Sequence, residues 1–214
     1  AALGRRHTCK GKPSPRPRRG LHGSTTRSPP DRHTPRGVAC SWTGMRTRPN
    51  STHDFAGLMA MAQPTTGETC SRLRPWSELT ESMTAAVAHH CGGQARVRLL
   101  KEGIGAINTW EQHQLKAMGD VYIRHIELSV AGTPRLIARS LTATNSPVVA
   151  LMQGLGERPL AELLFTDPLW QRATRTIHLQ APTDLPGRAV LWCHQKHQQR
   201  LLVEEFFLPA LWQR

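Results

Sequence analysis

The chain has few of the features that define several protein classes, and each shortage excludes one class. It has 5 cysteines in 214 residues and no C-x-x-C pair, so we expect neither a disulfide framework nor a structural zinc site. No stretch approaches the roughly 18 consecutive apolar residues of a membrane span, and no apolar signal core follows the basic start. No G-x-S-x-G nucleophile elbow occurs. A cytoplasmic protein fits these absences best.

The charge of the chain is distributed unevenly. Residues 1–75 contain 14 Lys and Arg against 3 Asp and Glu, whereas residues 76–214 contain 14 against 12. The net charge of +13 therefore belongs almost entirely to the first third. Because the remainder is nearly neutral, the basic balance of the whole chain does not by itself indicate a nucleic-acid-binding domain.

Residues 1–72 differ in kind from the rest. Segments such as residues 13–20 are rich in Pro, Arg and Gly and poor in large apolar residues, so we expect a disordered extension followed by one domain at residues 73–214. Two alternatives stay open. The extension is a basic arm for nucleic acid, or it is upstream sequence translated from an early start, since Met45, Met59 and Met61 are in-frame alternatives.

The pattern of residues 73–214 predicts an α+β fold with a single antiparallel sheet and helices on one face. Ser77 is the expected cap of a first helix that Gly92 ends, and Ala131-Gly132-Thr133 is the expected loop of a hairpin. Hairpins rather than βαβ crossovers connect the elements, which favours an antiparallel sheet. The expected order is a helix at about 77–91, strands at 95–102, 121–130 and 134–143, helices at 148–153 and 160–165, and strands at 172–180, 188–194 and 200–208.

One arginine lies in the middle of an apolar strand face. Side chains alternate along a strand, so Arg124 shares its face with Tyr122, Ile126 and Leu128. A guanidinium among apolar side chains is costly unless an anion meets it. That anion is either a carboxylate of the protein, which makes a structural ion pair, or the carboxylate of a ligand.

Further charges interrupt apolar strand patterns. Arg139 shares a face with Ile137 and Leu141, and the pair Glu204-Glu205 lies in the closing apolar strand. Alternation alone does not say which glutamate points inward. A structural pair of Arg124 with Glu205 is one interpretation. The other is a pocket in which arginine binds a small carboxylic acid and a buried glutamate acts as acid or base.

Two Cys/His groups, at residues 89–91 and 193–197, resemble metal ligands but lack the spaced second pair of a zinc site, so we expect no metal.

Four segments together resemble the bacterial chorismate pyruvate-lyase family, over roughly residues 76–210. They are residues 82–84 (SMT), 123–128 (IRHIEL), 158–166 (RPLAELLFT) and 201–209 (LLVEEFFLP). The chain departs from the family in its basic extension, in residues 110–119, and at Pro186, where a tryptophan is expected before Gly-Arg.

The resemblance implies short helices flanking a buried ligand pocket, and a cofactor-free lyase that converts chorismate to 4-hydroxybenzoate and pyruvate for ubiquinone synthesis. Because the product keeps its carboxylate and gains an aromatic ring, we expect strong product retention and product inhibition. It implies substrate contacts from Met83, Arg124, Leu160 and Glu205, with Arg124 and Glu205 in catalytic roles, and it favours Glu205 over Glu204. Arg139 occupies a family arginine position and is expected to help bind the enolpyruvyl group. We expect a monomer without nucleic-acid partners. A non-catalytic domain of the same fold that senses small carboxylates remains the alternative.

Overall fold

The computed structural model describes residues 57, 59–66, 71–182 and 184–212, and all of them belong to one compact unit. Most of the expected extension, including the proposed nucleic-acid arm, lies outside the described residues. Its last part is not separate from the domain, because Met59 is fully buried in the core and Gln63–Pro64 pairs with a strand of the sheet. The domain therefore begins earlier than the predicted boundary at residue 73.

The described strands form one antiparallel sheet of eight strands, which confirms the predicted α+β fold. The strands are β1 (Gln63–Pro64), β2 (Ala95–Gly105), β3 (Val121–Val130), β4 (Thr133–Ala143), β5 (Trp170–Arg172), β6 (Ile177–Gln180), β7 (Pro186–His194) and β8 (Gln199–Phe207). Their order across the sheet is β1-β6-β7-β8-β4-β3-β2, and β5 pairs with β7 beside this path.

The helices are short: α1 (Arg74–Ser77), α2 (Met83–Cys91), α3 (Thr109–Leu115), α4 (Val148–Gln153), α5 (Ala161–Thr166) and a closing 3-10 turn (Pro209–Leu211). The helix predicted from Ser77 begins later, at Met83. Ser82 is its cap, because the Ser82 hydroxyl accepts a hydrogen bond from the backbone N–H of Ala85 (3.3 Å). Gly92 ends it in a left-handed conformation (φ 66°).

The β3–β4 hairpin determines which face each charged side chain occupies. Its turn has two residues, Ala131 and Gly132, both with positive φ (51° and 73°), rather than the predicted three-residue loop. An irregularity near Arg135 then shifts the register, so that Arg124 pairs with Ser140 and Arg139 with His125. Arg124 and Arg139 consequently point to opposite faces of the sheet.

Both faces of the sheet are covered, and β3 is buried along almost its whole length. We call the face that carries Arg124, Ser140, Val203 and Glu205 the cavity face, and the face that carries Arg139 and Glu204 the reverse face. Helices α2, α4 and α5 pack on the cavity face, and α3 packs with the segment around Met59 on the reverse face. A site on either face is therefore enclosed by the protein.

Candidate functional site

A cavity of about 70 Å³ lies between the cavity face and the segments that cover it. Its floor includes Arg124, Val190 and Glu205 from the central strands, and its roof includes Met83 and Leu160. Small-molecule pockets typically measure about 300–1,000 Å³. The structure therefore shows a closed form, and a ligand with an aromatic ring requires the roof to move outward.

The roof over Arg124 is the segment of residues 154–166, which we call the flap. It contains the turn after α4, then Pro159 and Leu160, and then α5. Arg124 holds this flap, because its Nη2 donates hydrogen bonds to the carbonyl oxygens of Gly156 (2.6 Å) and Arg158 (3.1 Å). Opening the flap breaks these two hydrogen bonds.

Arg124 has no ion-pair partner in the part of the chain that the structure describes. Its side chain is 1% exposed and its Nε has no hydrogen-bond partner. Burial lowers the pKa of Arg124. The charge of Glu102, the residue of β2 that pairs with Arg124, opposes this shift. The predicted structural pair of Arg124 with Glu205 does not form. A buried guanidinium hydrogen-bonded only to carbonyl groups can still receive a carboxylate.

Glu205 is held by a different arginine. Nε of Arg188 lies 2.5 Å from Oε2 of Glu205, and the Nη1 of Arg188 donates to the carbonyl oxygens of Trp76 (3.0 Å) and Leu79 (2.6 Å). The neighbouring Gly187 allows β7 to approach β8 closely, since a Cβ there would lie 2.8 Å from the carbonyl oxygen of Glu205. Arg188 is therefore an orienting partner of Glu205 that the sequence prediction did not include.

Arg172, at the end of β5, is the third arginine of the cavity and was also missed. Its guanidinium carbon lies 5.3 Å from the ring centroid of Trp192, and its Nη2 donates to the carbonyl oxygen of Leu79 (3.1 Å). Its Nε is buried without a partner. A strand as short as β5 has too few residues to show an apolar alternation, so the sequence pattern does not indicate that Arg172 faces the cavity.

Met83 and Leu160, both predicted to contact the substrate, lie in the roof. Met83 is the first residue of α2, positioned by the Ser82 cap, and Leu160 precedes α5. The structure thus brings together four of the five predicted site residues: Met83, Arg124, Leu160 and Glu205.

Arg139, the fifth, is not in this cavity. It lies on the reverse face, where its Nη1 contacts Oε1 of Glu111 (2.5 Å), Oε2 of Glu204 (3.0 Å) and the carbonyl oxygen of Met59 (3.2 Å). All three charged side chains are 1% exposed or less. The predicted contact of Arg139 with the enolpyruvyl group does not fit this position, because the sheet separates Arg139 from the cavity.

Burial perturbs the titration of groups on the reverse face. It raises the pKa of Glu204, the charge of Arg139 opposes the shift, and the nearby carboxylate of Glu111 adds to it. Burial also lowers the pKa of His125 to about 4, with the charges of Arg139 and Lys101 acting in the same direction. The reverse-face cluster is therefore a self-neutralising structural network.

The Cys/His group at residues 193–197 has structural contacts. Nε2 of His194 lies 3.2 Å from Oδ2 of Asp167, and the His194 ring stacks on His197 with centroids 4.9 Å apart. Within the described ranges, no three His, Cys, Asp or Glu side chains are arranged to bind a metal ion.

The fold and the cavity define a class: an α+β domain with one antiparallel sheet that encloses a polar site beneath short helices. The family model for chorismate lyase matches residues 62–214, and the chain belongs to this family. A relative from Azoarcus sp. is 34% identical over 183 residues, which cover 74% of this chain and 95% of the relative. A relative from Dechloromonas aromatica is 31% identical over 155 residues, 65% of this chain and 88% of the relative. Both are named probable chorismate pyruvate-lyase.

Among solved structures, the ligand-binding domain of a candidate GntR-family transcriptional regulator from Bordetella bronchiseptica matches with a TM-score of 0.39 and 13% identity. The match covers 55% of this chain and 86% of that domain. None of the helices in the described ranges has both the length and the apolar character that crossing a membrane requires.

Proposed function

We propose that the protein is a chorismate pyruvate-lyase that converts chorismate to 4-hydroxybenzoate and pyruvate without a cofactor. Membership of the chorismate lyase family supports this activity. The observation that carries the proposal is the state of Arg124: a buried guanidinium that lines a partly apolar cavity and forms no salt bridge with any described residue. Binding a carboxylate would satisfy both its charge and its free Nε.

The reaction is an elimination that makes the ring aromatic. The ether bond between the ring and the enolpyruvyl group breaks, and its electron pair goes to the ether oxygen. The adjacent ring carbon, which carries the hydroxyl group, loses its hydrogen as a proton. The departing enolpyruvate takes up a proton and becomes pyruvate. Because aromatisation drives the reaction, the enzyme mainly has to hold the dianion and manage these protons.

The side chains of the cavity fit these tasks. Arg124 binds the ring carboxylate with its planar fork, and Met83 and Leu160 form apolar walls against the ring. In its ion pair with Arg188, Glu205 accepts a hydrogen bond from the ring hydroxyl; in its protonated form it would instead protonate the ether oxygen.

The product keeps the features that the cavity binds. 4-Hydroxybenzoate retains the ring carboxylate for Arg124 and gains a flat ring for the apolar walls. We therefore propose tight product retention beneath the flap and product inhibition, with release limited by flap opening. We further propose that this product feeds ubiquinone synthesis, as the resemblance to the chorismate pyruvate-lyases implies.

The test is to add chorismate to the purified full chain, without added metal or nucleotide, and to quantify 4-hydroxybenzoate and pyruvate over time. We expect both products in equal amounts, with turnover slowed by added 4-hydroxybenzoate. Tight binding of 4-hydroxybenzoate without product formation would instead identify a non-catalytic sensor of small carboxylates and would contradict the lyase proposal.

A further inference from the structure

The cavity contains more positive charge than its own carboxylates neutralise. Three arginines line it: Arg124, Arg172 and Arg188. Only Arg188 forms a salt bridge, with Glu205, among the described residues. Glu81 also lines the cavity, but it is exposed and no salt bridge joins it to an arginine in the described ranges. Arg124 and Arg172 thus have no salt-bridge partner among the described residues and can bind anions from outside the protein.

These two arginines enter the cavity from strands on opposite lateral sides of it, within the same face of the sheet. Arg124 belongs to β3, and Arg172 belongs to β5, which pairs with β7 through Arg172 and Trp192. Because β4, β8 and β7 lie between them, four strand spacings of about 4.8 Å separate the two backbones, roughly 19 Å in total. Both long side chains reach into the same cavity, so they can bind opposite ends of one small molecule.

Arg172 is held in place without being neutralised. Its flat guanidinium packs against Trp192, and one hydrogen bond to the carbonyl oxygen of Leu79 fixes its direction. Its Nε is buried and has no partner. Burial lowers the pKa of Arg172, and repulsion from Arg188 lowers it further, while Glu205 opposes both effects. A second carboxylate next to Arg172 would relieve this repulsion and pair with the free Nε.

We propose that Arg172 forms a second carboxylate subsite, which binds the three-carbon acid end of the substrate while Arg124 binds the ring carboxylate. This inference rests on the proposed lyase function for the identity of the substrate. It makes Arg172 a specificity-determining residue, because it distinguishes a dicarboxylate substrate from the monocarboxylate aromatic product. After cleavage, the subsite holds the three-carbon acid alone.

The test compares two unreactive ligands by calorimetry on the full chain. 4-Hydroxybenzoate has one carboxylate, and 4-(carboxymethoxy)benzoate has a second carboxylate beyond an ether oxygen. We expect Arg172→Leu to weaken binding of the dicarboxylate by about 10- to 100-fold and to change 4-hydroxybenzoate affinity by less than about 2-fold, as for loss of one charged hydrogen-bonded contact. Arg172→Lys, which keeps the charge without the fork, should lie between wild type and Arg172→Leu.

Controls separate this subsite from the fold and from the proposed function. Arg175→Leu removes an exposed arginine of the same segment and should leave both affinities unchanged. Equal weakening of both ligands, or of neither, by Arg172→Leu and Arg172→Lys would overturn the subsite. If the wild type makes no pyruvate from chorismate yet Arg172→Leu still discriminates between the ligands, the lyase proposal fails and the subsite stands.

Discussion

Arg139 on the reverse face and Arg124 on the cavity face are equally buried, but their electrostatic surroundings are opposite. Arg139 on the reverse face contacts two buried carboxylates, those of Glu111 and Glu204. Arg124 on the cavity face contacts two flap carbonyl groups and has a free Nε. Both side chains are 1% exposed. Burial of an arginine therefore does not identify a binding site; the nature of its partners does.

Neighbouring glutamates show the same contrast. Glu204 and Glu205 are adjacent in β8, and strand alternation sends one to each face. Glu204 joins the closed network around Arg139, whereas Glu205 is directed into the cavity by Arg188. The chain thus provides matched internal controls: Arg139 and Glu204 have structural partners on the reverse face, whereas Arg124 and Glu205 line the cavity.

The largest expected effect on activity comes from replacing Arg124 on the cavity face. Arg124→Leu should lower kcat/KM for chorismate by about 10²- to 10³-fold, because a charged contact to substrate and two hydrogen bonds to the flap are lost. Steady-state kinetics measures this loss. Affinity for 4-hydroxybenzoate, measured by calorimetry, should fall as well. An Arg124→Leu protein with normal kinetics would remove the distinction between the two faces.

The counterpart on the reverse face should act on stability. Arg139→Leu leaves the buried carboxyl groups of Glu111 and Glu204 without their arginine partner, so we expect the free energy of unfolding to fall by about 3–5 kcal/mol. Urea denaturation followed by circular dichroism measures this difference. If Arg139→Leu were as stable as the wild type but lost ligand binding, Arg139 would belong to the site and the assignment of the faces would be wrong.

The adjacent glutamates sharpen the comparison further. Glu205→Gln should reduce kcat by about 10²-fold, the size typical of losing an acid, base or charged hydrogen-bond partner. Glu204→Gln, one residue away, should leave kcat within about 2-fold of the wild-type value. Glu204 lies on the reverse face, and burial already favours its neutral form, which glutamine resembles. Equal losses in the two variants would contradict the separation of the faces.

The smallest expected effect is a pH dependence of stability. The pKa of Glu204 is raised in the folded state, so the folded protein binds this proton more tightly than the unfolded chain. The resulting stabilisation is complete below the unfolded pKa of about 4.5 and is lost as the pH rises through the folded value.

Glu204→Gln cannot lose this proton, so its unfolding free energy relative to wild type should increase steadily between pH 5 and pH 8. Urea midpoints across this range measure the trend, and Glu205→Gln serves as the control from the other face. If the difference in unfolding free energy between Glu204→Gln and wild type stayed constant from pH 5 to pH 8, protonation of Glu204 would not be coupled to folding.

The sequence predicts the antiparallel sheet and four of the residues that line the cavity, each for a specific physical reason. Tyr122, Arg124 and Ile126 alternate in a strand, and hairpins require an antiparallel sheet, so both features were visible in the pattern. The choice between Glu204 and Glu205 was not visible, because β8 is buried on both faces; the family resemblance indicated Glu205. The structure places that residue in the cavity.

The misassigned and missed residues depend on register and distant contacts. With the predicted three-residue loop at residues 131–133, Arg124 would also pair with Ser140. Because Arg139 is the next residue along that strand, this register already directs it to the face opposite Arg124. Arg188 and Arg172 reach their positions through pairing of β7 with β8 and β5, which local periodicity does not encode. The sequence marks Glu111 only as a capping-box residue of α3, whose side chain accepts a hydrogen bond from the N–H of Asn108 (2.8 Å). Its contact with Arg139 depends on how α3 packs against the sheet.

The most direct measurement is a crystal structure of the full chain with 4-hydroxybenzoate bound. We predict that the ligand lies on the cavity face beneath the flap, with its carboxylate hydrogen-bonded to Arg124 and its hydroxyl group directed to Glu205. Arg139 should keep its contacts with Glu111 and Glu204 unchanged. A ligand bound on the reverse face at Arg139, or one whose carboxylate is not bonded to Arg124, would contradict the central claim.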